Sequence, residues 1–357
     1  MDSEALQRMF RVLDDLESGG YDDLMNYSIV RQLLSCPQSA LIRLFGHVLD
    51  RRPQMDLLNL VCTVNGALCY TAVNLMSIDE ALYLFDNAED FDEFVARYSR
   101  QIQEIALTRS NNPTIPQRAF SVSCHLPDVD AEEIGLLELG CSRGDIGLVL
   151  LNLAEVLDTP SRYLFPDFMA TVSIEKLQRA RPITRYFGID LDISLDDAWL
   201  LSLWGLCDNR RIQLQNFYKD FKPKETSRFR RLRADACNPS AYLDAVLEFF
   251  NTVRVTVILT SFMVYQLSPE ARATLARTIR MLQARFLEIR DNDRSTIWLN
   301  QGMHPEILMT GEFDFARCYL SKLWFDRDVL LGLPLARLFN DACEGWDQLD
   351  ASPVIMG

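Results

Sequence analysis

The sequence predicts an α/β protein: an all-helical N-terminal domain followed by a mostly parallel sheet with helices on both faces. Up to about residue 108, apolar residues recur with a helical period. One such run consists of Leu41, Leu44, Phe45, Val48 and Leu49. From residue 134 onward, short apolar runs alternate with helical patterns, which is typical of strands joined by crossover helices.

The two predicted domains meet near residue 110. Residues 109–118 contain two prolines and a pair of adjacent asparagines, which interrupt the helical pattern. We therefore expect a helical domain over residues 1–110 and a second domain over residues 111–357.

The second domain is predicted to contain seven strands, the last two forming a pair. The predicted strands are 135–139, 186–190, 229–233, 253–260, 296–300, 318–325 and 335–339. The predicted helices between them are 196–204, 241–250, 269–285 and 306–310. The segment 158–184 is longer than one crossover connection requires. We therefore predict a small hairpin insertion there, with a strand at 169–174.

The composition restricts the class of function. The chain carries 50 Asp and Glu against 36 Lys and Arg, which disfavours a nucleic-acid partner because phosphate binding depends on basic residues. The basic stretch 219–233 is expected to be a solvated face. No apolar run reaches the ~20 residues of a membrane span, and the acidic N-terminus is unlike a signal peptide. We expect a cytoplasmic protein with a small-molecule substrate and no membrane partner.

The nine cysteines form no C-x-x-C pair, and the chain has three histidines. This pattern predicts buried cysteines rather than a metal site.

Residues 134–151 form the most informative segment, an apolar strand followed by a glycine-rich turn and an apolar helix. Gly140, Gly144 and Gly147 allow a sharp turn and close approach of a ligand to the backbone. The dinucleotide fingerprint G-x-G-x-x-G does not match, because Ser142 occupies the second glycine position. A phosphate-binding loop requires Gly-Lys-Ser/Thr, and no lysine follows Gly144.

The remaining pattern, E-x-G-x-x-x-G-x-x-G from Glu138 to Gly147, resembles the first motif of class I S-adenosylmethionine (SAM) dependent methyltransferases. With the helical N-terminal region, the polar segment 109–118 and the later run Arg-Tyr-Phe-Gly-Ile-Asp-Leu-Asp at 185–192, the chain is similar to a bacterial branch of methyltransferase-like proteins of uncharacterised substrate. The loop departs from the small, apolar form of that branch by carrying Arg143 and Asp145.

This resemblance implies a Rossmann-like seven-stranded methyltransferase fold, SAM as the cofactor, and a helical domain that forms a lid or substrate wall. Open α/β sheets bind ligands at the carboxyl ends of their strands. Asp190, or alternatively Asp192, would accept the ribose hydroxyls, while Asp235 and the backbone of Ala236 would meet the adenine amino group. Glu138 would face the methionine ammonium. The predicted cofactor-binding residues are Glu138, Gly140, Ser142, Gly144, Asp190, Asp192, Asp235, Ala236 and Thr260.

Each of these acidic residues could have a structural role instead of binding the cofactor. Asp190 and Asp235 could simply cap the helix or turn that follows. Glu138 needs a partner in either case, because burying an unpaired carboxylate in an apolar strand is costly.

Three residues are predicted at the reacting end of the site. Tyr265 follows the fourth strand and could present its ring to the sulfonium, present its hydroxyl to a substrate, or belong to the core. Asn300 closes the fifth strand. Arg118 precedes the first strand and could bind a carboxylate bidentately or remain a solvated side chain.

The function predicted from the resemblance is methyl transfer to a small molecule. Such transfer requires alignment and exclusion of water rather than a metal or a covalent nucleophile. A SAM-consuming lyase or cyclase that releases methylthioadenosine is the first alternative, and a non-catalytic binding protein of the same fold is the second. A third is a serine hydrolase, because residues 140–144 also read G-x-S-x-G, with Ser142, Asp291 and His304 in the chain order of a triad.

Overall fold

The structure of the chain is a computed structural model. It describes residues 3–18, 26–52, 57–109, 116–123, 126, 134–172, 174–193, 196–206, 208–261, 263, 267, 269–288, 295–301 and 318–320. The chain divides into two compact units, one formed by Met1–Pro113 with Asp196–Gln215 and the other by Thr114–Leu195 with Asn216–Gly357. The sequence pattern assigns residues 196–215 to the second domain, whereas the structure groups them with the first unit.

The described residues form helices and strands in the following order. The helices are α1 (Ser3–Ser18), α2 (Tyr27–Leu34), α3 (Ala40–Arg51), α4 (Leu57–Val73), α5 (Ile78–Phe85), α6 (Ala88–Thr108), α7 (Pro116–Ser123), α8 (Asp145–Leu151), α9 (Leu153–Asp158), α10 (Pro160–Tyr163), α11 (Pro166–Thr171), α12 (Ile174–Leu177), α13 (Asp197–Ser202), α14 (Asp208–Asp220), α15 (Leu243–Phe249) and α16 (Pro269–Glu288). The strands are β1 (Ile134–Leu139), β2 (Arg185–Asp190), β3 (Phe229–Arg233), β4 (Val255–Ser261), β5 (Ser295–Gln301) and β6 (Cys318–Leu320). None of the described helices has the length and apolar character that crossing a membrane requires.

Local sequence signals set where the helices of the first unit begin. Ser77 starts α5 with a capping box, accepting the backbone N–H of Glu80 while the Glu80 carboxylate accepts the N–H of Ser77. Asn87 caps α6 by accepting two backbone N–H groups. The predicted helical period in α3 is confirmed as a buried face.

Residues 196–215 join the first unit through contacts with α4 and with Arg109, the residue that follows α6. Gly66 of α4 leaves room for Leu203, whose side chain would lie 2.6 Å from a Cβ at that position. The carboxylate of Asp196 accepts the hydroxyl of Tyr70 at 2.8 Å and pairs with Arg109 at 3.1 Å. These contacts are distant in sequence, which is why periodicity alone does not assign the segment.

The second unit contains a six-stranded sheet in the order β3-β2-β1-β4-β5-β6, with every neighbouring pair parallel. The predicted α/β class is therefore confirmed. The first five strands lie within two residues of the predicted bounds. The predicted seventh strand (335–339) and the predicted helix 306–310 lie outside the described residues.

Helices cover both faces of this sheet. Leu137 and Leu139 of β1 belong to a core cluster that includes residues of α15 and α16. Because successive strand residues alternate between faces, Glu138 lies on the opposite face. There Gly147 of α8 packs on Tyr186 of β2, and a Cβ at Gly147 would lie 2.1 Å from the tyrosine ring.

The predicted hairpin at 158–184 is wrong, because the described part of this segment forms the short helices α10, α11 and α12. Pro160 and Pro166 stand at helix starts, where proline fits because the first helical N–H groups need no intrahelical acceptor. Phe168 is then buried. Of the segment predicted as a strand at 169–174, residues 169–171 belong to α11, Val172 follows its end and Ile174 starts α12.

Candidate ligand-binding site at the glycine loop

The loop from Gly140 to Gly144 joins β1 to α8 and folds onto the end of β2. Its φ angles are +81° at Gly140, +49° at Ser142 and +82° at Gly144, in the region that favours glycine. The N–H groups of Gly140 and Cys141 both donate to the carbonyl of Ile189, at 2.8 and 3.2 Å. The loop therefore lies at the carboxyl edge of the sheet, where β1 stands between β2 and β4.

Asp190, the last residue of β2, anchors this loop. One carboxylate oxygen accepts the N–H of Ser142 at 2.6 Å and the other accepts the N–H of Asp192 at 3.1 Å. Burial raises the pKa of Asp190, and the hydrogen bond from the Ser142 backbone opposes that shift. A carboxylate has about four acceptor positions, so Asp190 can still accept bonds from a ligand.

Two arginines of β3 hold the segment that follows β2. Arg231 donates to the carbonyls of Ser142 at 3.4 Å and Ile193 at 3.2 Å, and Arg233 donates to the carbonyl of Leu191 at 2.9 Å. Leu191 itself is 64% exposed. These arginines were not predicted as site residues, because the basic stretch 219–233 was expected to be a solvated face. Their place at the carboxyl end of a strand was the available signal.

Glu138 has the partner that its strand position requires. Its side chain is fully buried, and one oxygen, Oε2, accepts the hydroxyl of Tyr186 at 2.5 Å. The other oxygen, Oε1, has no hydrogen-bond partner among the described residues. An unsatisfied buried acceptor is uncommon in folded proteins and calls for an explanation.

The surroundings of Glu138 favour its neutral form. Burial, together with the charges of Asp145 and Asp190, raises the pKa of Glu138 to about 8, although the hydrogen bond from Tyr186 and the charge of Arg118 oppose this rise. Burial also raises the pKa of Tyr186 well above its ordinary value. At neutral pH the tyrosine is therefore the donor in this pair.

Arg143 and Asp145 form an ion pair in the interior. Both side chains are completely buried, and the guanidinium also donates to the carbonyl of Phe221 at 2.7 Å. It lies over the ring of Tyr218, 4.3 Å from the ring centre. The two charged side chains of this loop therefore anchor it inside the protein and are not presented on its surface.

Asp235 lies at the same edge of the sheet and shapes a turn. Its carboxylate accepts the N–H of Cys237 at 2.8 Å, and its side chain is exposed. The N–H of Ala234 donates to the carbonyl of Asp190 at 2.9 Å, which brings this segment beside the end of β2. Ala236 is buried, and its carbonyl accepts the hydroxyl of Tyr242. The capping alternative considered for Asp235 is thus present in the structure, and its exposed carboxylate can also meet a ligand.

The remaining predicted residues take part in core packing, act on Glu138 through their charge, or lie outside the described residues. Thr260 is fully buried and its hydroxyl accepts the indole N–H of Trp298 at 3.0 Å, so it takes part in core packing. Asn300 pairs with Thr260 in the β4–β5 ladder. Arg118 is half-buried on α7. Tyr265 and the two residues predicted to complete a hydrolase triad, Asp291 and His304, lie outside the described residues.

Comparison with known proteins gives no relative: no family model, no curated protein and no solved structure matches the chain. Within the described ranges, no group of three or more His, Cys, Asp or Glu side chains could hold a metal ion.

Replacing Arg143 by Met should destabilise the protein strongly, because Asp145 would remain buried without its cation. Breaking a buried pair in this way costs about 3–5 kcal/mol of unfolding free energy. Urea unfolding of wild type and variant measures the difference. Arg162→Met is the matched control, since the pair of Arg162 with Asp220 is solvent-exposed and its loss should change stability little. Equal losses in the two variants would contradict the role of the buried pair.

The stability of the wild type relative to Glu138→Gln should depend on pH. Because the pKa of Glu138 is raised from 4.5 to about 8 by folding, its contribution is fully present below pH 4.5 and is lost as pH rises towards 8. The slope is at most about 1.4 kcal/mol per pH unit for one proton. Urea unfolding of both proteins from pH 5 to pH 9 gives the difference curve. A difference that stays constant with pH would show that the carboxyl is not held neutral.

Proposed function

We propose that the chain is a SAM-dependent methyltransferase that acts on a small molecule. The observation that carries the proposal is the glycine loop at the carboxyl end of the central strand, with Glu138 below it and Asp190 bound to it. Ligands of open α/β sheets bind at this switch point.

We further propose that the second unit has the Rossmann-like seven-stranded methyltransferase fold. Its described strand order, 3-2-1-4-5-6, also suits a dinucleotide-binding sheet. The glycine spacing favours SAM, since Ser142 replaces the second glycine of the dinucleotide fingerprint. The predicted strand 335–339 would be the seventh.

The residues around the loop fit such a cofactor. Oε1 of Glu138 is a buried acceptor that lacks a partner within the described part of the chain, which suits an ammonium group. Asp190 and Asp192 retain acceptor positions for ribose hydroxyls. Leu191, exposed between them, offers an apolar surface to a flat base. The net charge of −14 favours a cationic ligand.

Bound SAM would supply a methyl carbon already activated by its sulfonium, so the protein has to bind, orient and exclude water. In this proposal Glu138 holds the ammonium, Asp190 and Asp192 orient the ribose, and Asp235 meets the adenine edge. In this proposal Arg118 binds a carboxylate of the cofactor or of an amino-acid-like substrate. Thr260 receives no role because its hydroxyl is bonded to Trp298.

Calorimetric titration with SAM and with S-adenosylhomocysteine (SAH) tests the proposal. We expect wild-type protein to bind with a dissociation constant in the micromolar range and Asp190→Asn to bind about tenfold more weakly, equivalent to about 1.4 kcal/mol. Asp244→Asn, an exposed substitution on α15, should bind as the wild type does.

Mass spectrometry of the incubated mixture then identifies the reaction, because SAH indicates transfer and methylthioadenosine indicates the lyase or cyclase alternative. Failure of folded wild-type protein to bind either ligand would contradict the proposal.

One observation favours a serine hydrolase as the second candidate. Ser142 is the single non-glycine residue with a positive φ among those the structure describes, and it stands in G-x-S-x-G between a strand and a helix. A fluorophosphonate probe distinguishes the two functions. With a methyltransferase, we expect no labelling of Ser142 in wild-type protein. Labelling that Ser142→Ala abolishes would establish the serine as a nucleophile instead.

A further inference from the structure

The half-paired carboxyl of Glu138 determines how a cation can bind beside it. Oε2 is held by Tyr186 and Oε1 has no partner in the described ranges, while the whole side chain is excluded from solvent. A charged carboxylate in this position, with one hydrogen bond and no bound cation, would be costly. A neutral carboxyl avoids most of that cost.

Charged groups on several neighbouring elements act on Glu138. Asp145 on α8 and Asp190 at the end of β2 oppose ionisation, and Arg118 on α7 favours it. The thiol of Cys141 in the loop is itself buried, and burial together with Asp190 and Glu138 raises its pKa. The charge of Asp145 is paired with Arg143. The charge of Arg231 on β3 lowers the pKa of Tyr186 and that of Cys141. On β4, the residue in register with Glu138 is Leu259, which carries no charge.

We infer that a ligand ammonium binding at Oε1 displaces a proton from Glu138 to solvent, and that Tyr186 is the positioning residue that stabilises the carboxylate so formed. This inference rests on the proposed function. The O–H bond of the carboxyl breaks, the proton passes to buffer, and the carboxylate retains the electron pair and pairs with the ammonium. The pKa of about 8 for the unliganded group supports this linkage.

Tyr186 suits this role because packing fixes its ring. The ring stacks on Phe229 with centres 5.0 Å apart and fills the space beside Gly144 and Gly147. Its hydroxyl therefore stays directed at Glu138 whether or not a ligand is bound. Tyr186→Phe removes the hydroxyl and keeps this packing.

The test is calorimetric titration with SAH at pH 6.5 in two buffers of different ionisation enthalpy, which counts the protons released. At this pH the ligand amine remains protonated, since ordinary α-amino groups have pKa values of about 7.7–8.0. We expect about one proton released per SAH bound by wild-type protein and none by Glu138→Gln. Methylthioadenosine, which lacks the amino-acid tail, should bind without proton release.

A double-mutant cycle then assigns the role of Tyr186. Tyr186→Phe should weaken SAH binding about tenfold in the wild-type background and have no effect in the Glu138→Gln background. Its affinity for methylthioadenosine should not change. A purely structural tyrosine would weaken both ligands in both backgrounds.

Three outcomes would overturn the inference. SAH binding by wild-type protein without proton release would refute it while leaving the proposed function intact, and this measurement needs no variant. Equal effects of Tyr186→Phe in the two backgrounds would refute the positioning role. Failure of the wild type to bind SAH and methylthioadenosine would refute the proposed function, and the inference with it.

Discussion

The arrangement of the glycine loop depends on the packing of the Tyr186 side chain. Its ring lies where a side chain at Gly147 would have to be, so α8 can pack closely on β2 because that position is glycine. The same ring stacks on Phe229, and its hydroxyl bonds Glu138. One side chain thus joins three strands and a helix, and it sets the position of the buried carboxyl as well as the path of the loop above it.

The buried ion pair of Arg143 and Asp145 gives the loop a second anchor. Charges in the interior are tolerated when they are paired and hydrogen-bonded. Here the guanidinium meets a carboxylate, a backbone carbonyl of Phe221 and the face of Tyr218. Because the pair is fully buried, the exposed surface of the loop is left to Ser142 and to the backbone. The loop can therefore carry charged residues without presenting charge to a ligand.

Much of the fold follows from local patterns that the sequence displays. The apolar strand at 134–139, the glycines after it and the alternation of strands with helices predict the parallel sheet, and the structure agrees within two residues for five strands. The segment 158–184 shows the limit of such patterns. We predicted a strand at 169–174, but prolines at helix starts and burial of Phe168 produce helices instead. The intrinsic strand propensity of a segment determines its secondary structure only where tertiary packing does not.

The sequence predicted only some of the residues at the candidate site. Strand ends indicated Asp190 and Asp235, and both lie at the carboxyl edge. The sequence did not indicate that Thr260 bonds Trp298, that Arg231 and Arg233 hold the segment after β2, or that residues 196–215 pack with the first unit. Each of these depends on contacts between residues far apart in the chain, for which a single sequence carries no periodic signal.

The sequence by itself determined the α/β class, the glycine loop and the need for a partner at Glu138, because periodicity, glycine spacing and the cost of a lone buried charge are local properties. The tertiary structure alone decided that Tyr186 is that partner, that only one carboxylate oxygen is satisfied among the described residues, and that Arg143 points inward. Those outcomes depend on how neighbouring strands and helices pack.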